Sequence, residues 1–158
     1  MLPASTSAPL TLLRHRPYRA YFLARSFSEL AYQIAVVAVG WQVYFLTHSA
    51  FALGMVGLVQ FIPTALLTFV AGHAADRYDR THVVQMCQLA QGLAAGFLAW
   101  GSFAGWLSAH EIFAAVAVFG TAIAFESPAS AALMTAAAPE GMLQKATALG
   151  TGGFQLAM

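Results

Sequence analysis

The chain has 158 residues, of which 59% are hydrophobic and only 8% are charged, and its formal net charge is +1. A soluble globular domain has about 25% charged residues. This chain therefore lacks the polar surface that a water-soluble fold needs, and its composition predicts a membrane protein in contact with the lipid bilayer. The sequence has no basic cluster large enough to follow the phosphates of a nucleic acid, so a nucleic-acid partner is not predicted.

Four apolar stretches are long enough to cross a membrane as helices, since a span needs about 20 residues. They are residues 20–46, 53–75, 83–103 and 112–134, and a fifth stretch, 146–158, is incomplete. Residues 1–17 are predicted to form a loose N-terminal tail. The sequence thus predicts an all-α membrane protein, a transmembrane helix bundle.

Basic residues lie almost entirely in alternate connections between these stretches. They precede the first stretch, lie between the second and third, and follow the fourth, at Arg14, Arg16, Arg19, Arg77, Arg80 and Lys145. The connections near residues 47–50 and 107–110 contain none. Because cytoplasmic loops are enriched in Lys and Arg, the N-terminus, the second loop and the fourth loop are predicted to be cytoplasmic.

The sequence gives no sign of a cofactor, a metal site or a catalytic site. Its histidines have no metal-ligand spacing, and the sole cysteine, Cys87, is interpreted as a small hydrophobic residue. No phosphate-binding loop and no pairing of a nucleophile with a base is present, so an enzyme is not predicted. Pro63 is interpreted as a bend, and Gly54 and Gly57 as sites of close helix contact.

The segment AGHAADRYDRTHVV concentrates charge between the second and third stretches. Topology alone explains Arg77 and Arg80, because basic residues hold a loop in the cytoplasm. It does not explain the acids Asp76 and Asp79. Gly72 and Asp76 are four residues apart and would share one face of a helix. That spacing predicts a smooth surface for another helix to dock on, ending in a carboxylate at the membrane boundary.

These residues resemble the signature G-x-x-x-D-R-x-G-R, which lies between helices two and three of major facilitator superfamily transporters. Residues 40–80, FESPASAAL at 125–133 and LQKATALGTGGFQLA at 143–157 resemble the enterobactin-exporter-like branch of that superfamily. The resemblance implies the first four helices and the start of the fifth of a 12-helix major facilitator fold. The chain is then expected to be an N-terminal fragment, with residues 18–158 forming part of a six-helix half.

In that superfamily, the Asp and Arg of this loop lock the two halves of the transporter together in the outward-facing state. By resemblance, a conformational gating loop is formed by Gly72, Asp76, Arg77, Asp79 and Arg80. The resemblance implies that Asp76 docks on a helix of the missing C-terminal half, and that the two arginines face acids or lipid headgroups there.

Three features depart from the superfamily pattern. Thr81 replaces a residue that is usually basic, and Ser130 stands where an arginine often follows the Pro-Ala segment. The fourth stretch also lacks the arginine that many proton-driven members carry. For this reason, the charge relay that links the loop Asp to helix four in those members is not transferred to Asp76.

Ionisable groups inside an apolar stretch cost about 2.5–3.5 kcal/mol at a helix centre, so they are candidate functional residues. Arg25, Glu29 and Gln33 are spaced four residues apart and lie along one face of the first helix. One interpretation is an internal Arg25–Glu29 pair that cancels its own charge. The other makes Glu29 a proton carrier or cation-binding residue in the central cavity, which helices one and four line in the resembled superfamily.

Glu126 is the candidate in the fourth stretch, two residues before Pro128 and towards the predicted cytoplasmic side. It is predicted either to meet the mouth of the cavity or to cap the backbone group that the proline leaves unpaired. Proton coupling or substrate binding is thus assigned to Arg25, Glu29, Gln33 and Glu126.

The leading hypothesis is a secondary active transporter that exports a small organic solute, such as a siderophore or a drug, from the cytoplasm. Transport would be coupled to protons and would proceed by alternating access in the bacterial inner membrane. One alternative is a small four-helix proton-coupled multidrug exporter that acts as an oligomer. Another is an inactive truncated membrane fragment, and residues 1–158 alone are expected to be inactive.

Overall fold

The computed structural model of the chain describes residues 16–77 and 79–137, and the predicted fifth span at 146–158 lies outside them. Helix α1 is Arg16–Thr47, α2 is Ala50–Arg77, α3 is Arg80–Ala104 and α4 is Ala109–Ala137, and the described residues contain no strand. Each helix contains a stretch that is long and apolar enough to cross a membrane. The prediction of an all-α bundle of membrane-spanning helices is confirmed for these residues.

Local signals in the sequence set the helix ends. Helix α1 begins at Arg16, one residue before the predicted end of the tail at residue 17, because the fixed φ of Pro17 suits a first helical turn. Gly105 ends α3 with a φ of 74°, a left-handed conformation that glycine adopts without steric cost. Before α4, the backbone N–H of Ser108 donates to Oε2 of Glu111 over 2.8 Å, and the Ser108 hydroxyl donates to the same carboxylate. Glu111 thus supplies the acidic half of a capping box.

Helix α4 is the centre of the larger of two compact units, Tyr32–Ser130. Half of its most apolar stretch is buried, against 11% for α1 and α3 and none for α2. Alanine and glycine on α4 permit this burial because they let neighbouring helix backbones approach closely. Buried and half-buried residues of all four helices and of the α3–α4 connection form one cluster: Val39, Val43, Ala52, Val56, Val59, Leu98, Leu107, Ile112 and Val116.

A close approach between α2 and α4 occurs where Gly120 meets Gln60. A Cβ atom built on Gly120 would lie 2.3 Å from the carbonyl oxygen of Gln60 and 3.0 Å from Cγ of Pro63. The Thr64 hydroxyl lies 2.8 Å from the same Gln60 oxygen and 2.9 Å from the Gly120 carbonyl oxygen, so it joins the two helices at this level. Only glycine fits at position 120 without displacing the backbone of α2.

The two glycines predicted to make close helix contacts do not make them within the described chain. No packed neighbour lies within 4 Å of a Cβ atom built on Gly54 or Gly57, so that prediction is wrong for these residues. Both lie on α2, whose most apolar stretch has no buried residue. The close contact is made by Gly120 because it lies on the central helix.

Replacing Gly120 with alanine should destabilise the bundle, because the new methyl group would meet backbone atoms rather than a flexible side chain. We expect the free energy of unfolding to fall by about 1–3 kcal/mol, the usual cost of overpacking. Circular dichroism during a denaturant titration in detergent measures this change.

Gly96→Ala is the matched control, since Gly96 is also helical and an added Cβ atom there meets no neighbour within 4 Å. Its stability should be unchanged or should rise by up to about 1 kcal/mol. Equal losses in the two variants would show that the contact at Gly120 is not the constraint.

Candidate functional site

The residues predicted to form a gating loop are mostly helical, and the connection between α2 and α3 is shorter than the sequence suggests. Helix α2 continues through Gly72 and Asp76 to Arg77, and α3 begins at Arg80. Gly72 and Asp76 therefore lie on one helix, four residues apart, as a shared face requires. Among the described residues, nothing lies within 4 Å of a Cβ atom built on Gly72. The side chains of Asp76 and Arg77 lie outside the described part of the structure.

Asp79 has a local structural role as the N-cap of α3. Its backbone is extended (φ −61°, ψ 116°), and its Oδ1 atom accepts the backbone N–H of Thr81 over 2.9 Å. Nδ1 of His82 lies 3.4 Å from the other carboxylate oxygen, and both side chains are exposed. The backbone N–H of Thr81 is the main cause that holds the pKa of Asp79 below its ordinary value. Capping of α3 thus accounts for Asp79, an acid that the enrichment of basic residues in cytoplasmic loops does not explain.

Arg25 and Glu29 lie on α1, in the smaller of the two compact units. Nη2 of Arg25 is 3.3 Å from Oε2 of Glu29, and their side chains are 39% and 20% exposed. The structure therefore contains the internal ion pair, as the first of the two interpretations expects. Gln33 follows four residues later on α1 and is half-buried. The ion pair does not test whether Glu29 transfers protons, and that role stays a prediction.

Glu126 is buried in the membrane-spanning part of α4, with 6% of its surface exposed. Nε2 of Gln91, on α3, donates to Oε2 of Glu126 over 2.8 Å. Cys87 lies one helical turn before Gln91 and is also buried, in agreement with its interpretation as a small hydrophobic residue. A buried carboxyl group needs such partners, because lipid cannot replace its hydration. The hydrogen bond from α3 was not predicted.

A second polar pair, missed by the sequence analysis, joins α1 to α2. Nε2 of Gln60 donates a hydrogen bond to the hydroxyl oxygen of Tyr32. The backbone carbonyl of Gln60 also lies against Gly120 of α4. Gln60 therefore links α1, α2 and α4. The available signal was an amide side chain well inside an apolar stretch, where polar groups act as links between helices.

A comparison with protein families decides the class of the chain. The model of the transmembrane secretion effectors, a family of the major facilitator type, matches residues 4–158. The chain belongs to this family. No curated protein and no solved structure matches the chain.

The described residues contain four helices that could cross a membrane, and the family is one of transporters rather than enzymes. The chain is therefore an integral membrane protein of a transporter family. The family match confirms the major facilitator resemblance at this level. The enterobactin-exporter-like branch, the solute and the roles of the site residues stay predictions.

Lowering the pH should release the N-cap of α3. The folded-state pKa of Asp79 is lowered, so the cap stabilises the helix start above the unfolded pKa of about 3.9. That stability is lost as the pH falls through the lower folded-state pKa. We expect the amide proton shift of Thr81, followed by NMR, to titrate with a midpoint below that of an unfolded Asp.

Asp79→Asn is the control for this titration, because asparagine also caps helices but does not ionise. The Thr81 amide should then keep a capped shift throughout the same pH range. A wild-type midpoint at or above the ordinary Asp value would contradict the hydrogen-bonded cap.

Proposed function

We propose that this chain forms the N-terminal helices of a twelve-helix exporter that couples solute efflux to protons. The solute is a small organic molecule such as a siderophore or a drug, and the exporter works by alternating access in the bacterial inner membrane. The family match supports the transporter class. The observation that carries the coupling is Glu126, a carboxyl group buried in a membrane-spanning helix and hydrogen-bonded to a neighbouring helix.

A buried carboxyl group links proton binding to conformation. Its charged form is stabilised only by the groups that contact it, because water and lipid contribute little there. A movement that changes the contact between α3 and α4 therefore changes the affinity of Glu126 for a proton. By the same linkage, gain or loss of the proton shifts the balance between two conformations.

The proposed orientation places the N-terminus and the α2–α3 connection in the cytoplasm. Arg19 near the start of α1 and Arg80 at the start of α3 are both exposed. Cationic side chains at these positions suit anionic headgroups and the cytoplasmic excess of basic residues. Solute would then enter from the same side as the proposed gating loop.

Transport by the full-length protein tests the proton coupling. Inside-out vesicles with an imposed proton gradient should accumulate a catecholate siderophore or the dye ethidium, measured by filtration. We expect Glu126→Gln and Glu29→Gln each to slow gradient-driven uptake at least about tenfold, which is about 1.4 kcal/mol on the transport barrier. Glutamine keeps the size of the side chain but cannot carry a proton.

The matched control is Glu111→Gln, the same chemical change at the start of α4. Glutamine also serves at this position of a capping box, so uptake should stay close to wild type. Uptake by both test variants at the wild-type rate would overturn the proton coupling. Uptake of neither probe by the wild-type protein would overturn the proposed solute classes.

The gating role of the loop is tested by comparing its two acids. Asp76→Asn should slow transport of the same probes while their binding is unchanged, because the loop is proposed to control the conformational change. Asp79→Asn should transport nearly normally, because asparagine keeps the N-cap of α3. Normal transport by Asp76→Asn would contradict the gate, and an equal loss in both variants would contradict the division of roles between the two acids.

A further inference from the structure

A small pocket lies beside the Tyr32–Gln60 pair, between α1, α2 and α4 of the larger unit. Its atom-free space, including the open mouth, is about 290 Å³. Between the lining side chains there is room for about one small polar group of the size of a water molecule. Apart from Tyr32 and Gln60, the lining is apolar: Ala35, Val36, Val39, Val56, Val116 and Phe119.

The two polar residues retain hydrogen-bonding capacity after they bind each other. Gln60 uses one N–H on the Tyr32 oxygen, which leaves its second N–H and its Oε1 acceptor, and leaves the hydroxyl hydrogen of Tyr32. The pocket thus has both donors and an acceptor at its polar end. No charged side chain belongs to its described lining. A neutral group that both donates and accepts, such as a carboxamide or a hydroxyl, matches this chemistry.

The polar end of the pocket is held in place by the contact between α2 and α4. The backbone of Gln60 meets Gly120, and the Thr64 hydroxyl is within hydrogen-bonding distance of carbonyl oxygens on both helices. A fixed backbone limits the positions of the Gln60 amide, so less conformational entropy is lost when a ligand binds.

We call the pocket beside the Tyr32–Gln60 pair the amide pocket. We infer that it binds a neutral carboxamide or hydroxyl group of a small organic solute. The inference rests on the proposed transport function, because it names a chemical feature of the solute. The apolar walls accommodate the carbon atoms next to that group. A carboxylate is excluded, because its burial without a cation costs more than the two hydrogen bonds return.

Protection of an introduced thiol tests the amide pocket without any transport. Val56 lines the pocket. We therefore replace Cys87 and any cysteine outside residues 1–158 with alanine, introduce Val56→Cys, and label the full-length protein in lipid nanodiscs with N-ethylmaleimide. Benzamide should slow the labelling, whereas benzoate, nearly the same shape but charged, should not. Tyr32→Phe or Gln60→Leu should raise the benzamide concentration for half-protection about fivefold, the effect of losing one hydrogen bond.

Met86→Cys in the same Cys87→Ala background is the control for non-specific effects. Met86 is exposed and lines a different cavity, which lies between α3 and α4. Benzamide should therefore not protect a cysteine at this position. Labelling rates without benzamide should match between Val56→Cys alone and its combinations with Tyr32→Phe or Gln60→Leu, which shows that packing is intact.

Three results would each overturn the amide pocket: no protection by benzamide, equal protection by benzoate, or an unchanged half-protection concentration in both pair variants. The assay uses no proton gradient, so its failure leaves proton-driven uptake of the siderophore or ethidium standing. Loss of that uptake with benzamide protection intact would instead overturn the proposed transport function alone.

Discussion

Lipid hydrocarbon offers no hydrogen bonds, so a polar group in a membrane-spanning helix must find its partner within the protein. The described helices satisfy this constraint with polar links between neighbours. Gln91 of α3 donates to Glu126 of α4, and Gln60 of α2 donates to Tyr32 of α1. Each link holds two neighbouring helices together at the level of its polar residues.

Gln60 connects the packing of the bundle to its chemistry. Its carbonyl oxygen lies where any side chain larger than glycine at position 120 would clash, and its amide reaches Tyr32. A substitution that separates α2 from α4 therefore also moves the polar end of the amide pocket. In this part of the protein, stability and the proposed recognition of solute depend on the same backbone contact.

The charged segment between α2 and α3 combines constraints of different origin. Arg77 and Arg80 are proposed to hold the loop in the cytoplasm, and Asp79 caps the start of α3. These assignments account for three of its charges through local physical chemistry. These assignments do not account for Asp76, and the proposed gate therefore rests on this residue. The docking of another helix on the face of Gly72, one turn earlier on α2, stays a prediction.

The sequence by itself determined the helices, because the length and apolarity of a span are properties of consecutive residues. It also offered the ion pair of α1 as one of two interpretations, because its members are four residues apart on one helix. Only the tertiary structure decided that Gly120, rather than Gly54 or Gly57, makes the close contact, and that Glu126 meets Gln91. Those relations depend on which faces of separate helices come together. That choice is made by packing between residues far apart in the chain, and no local pattern records it.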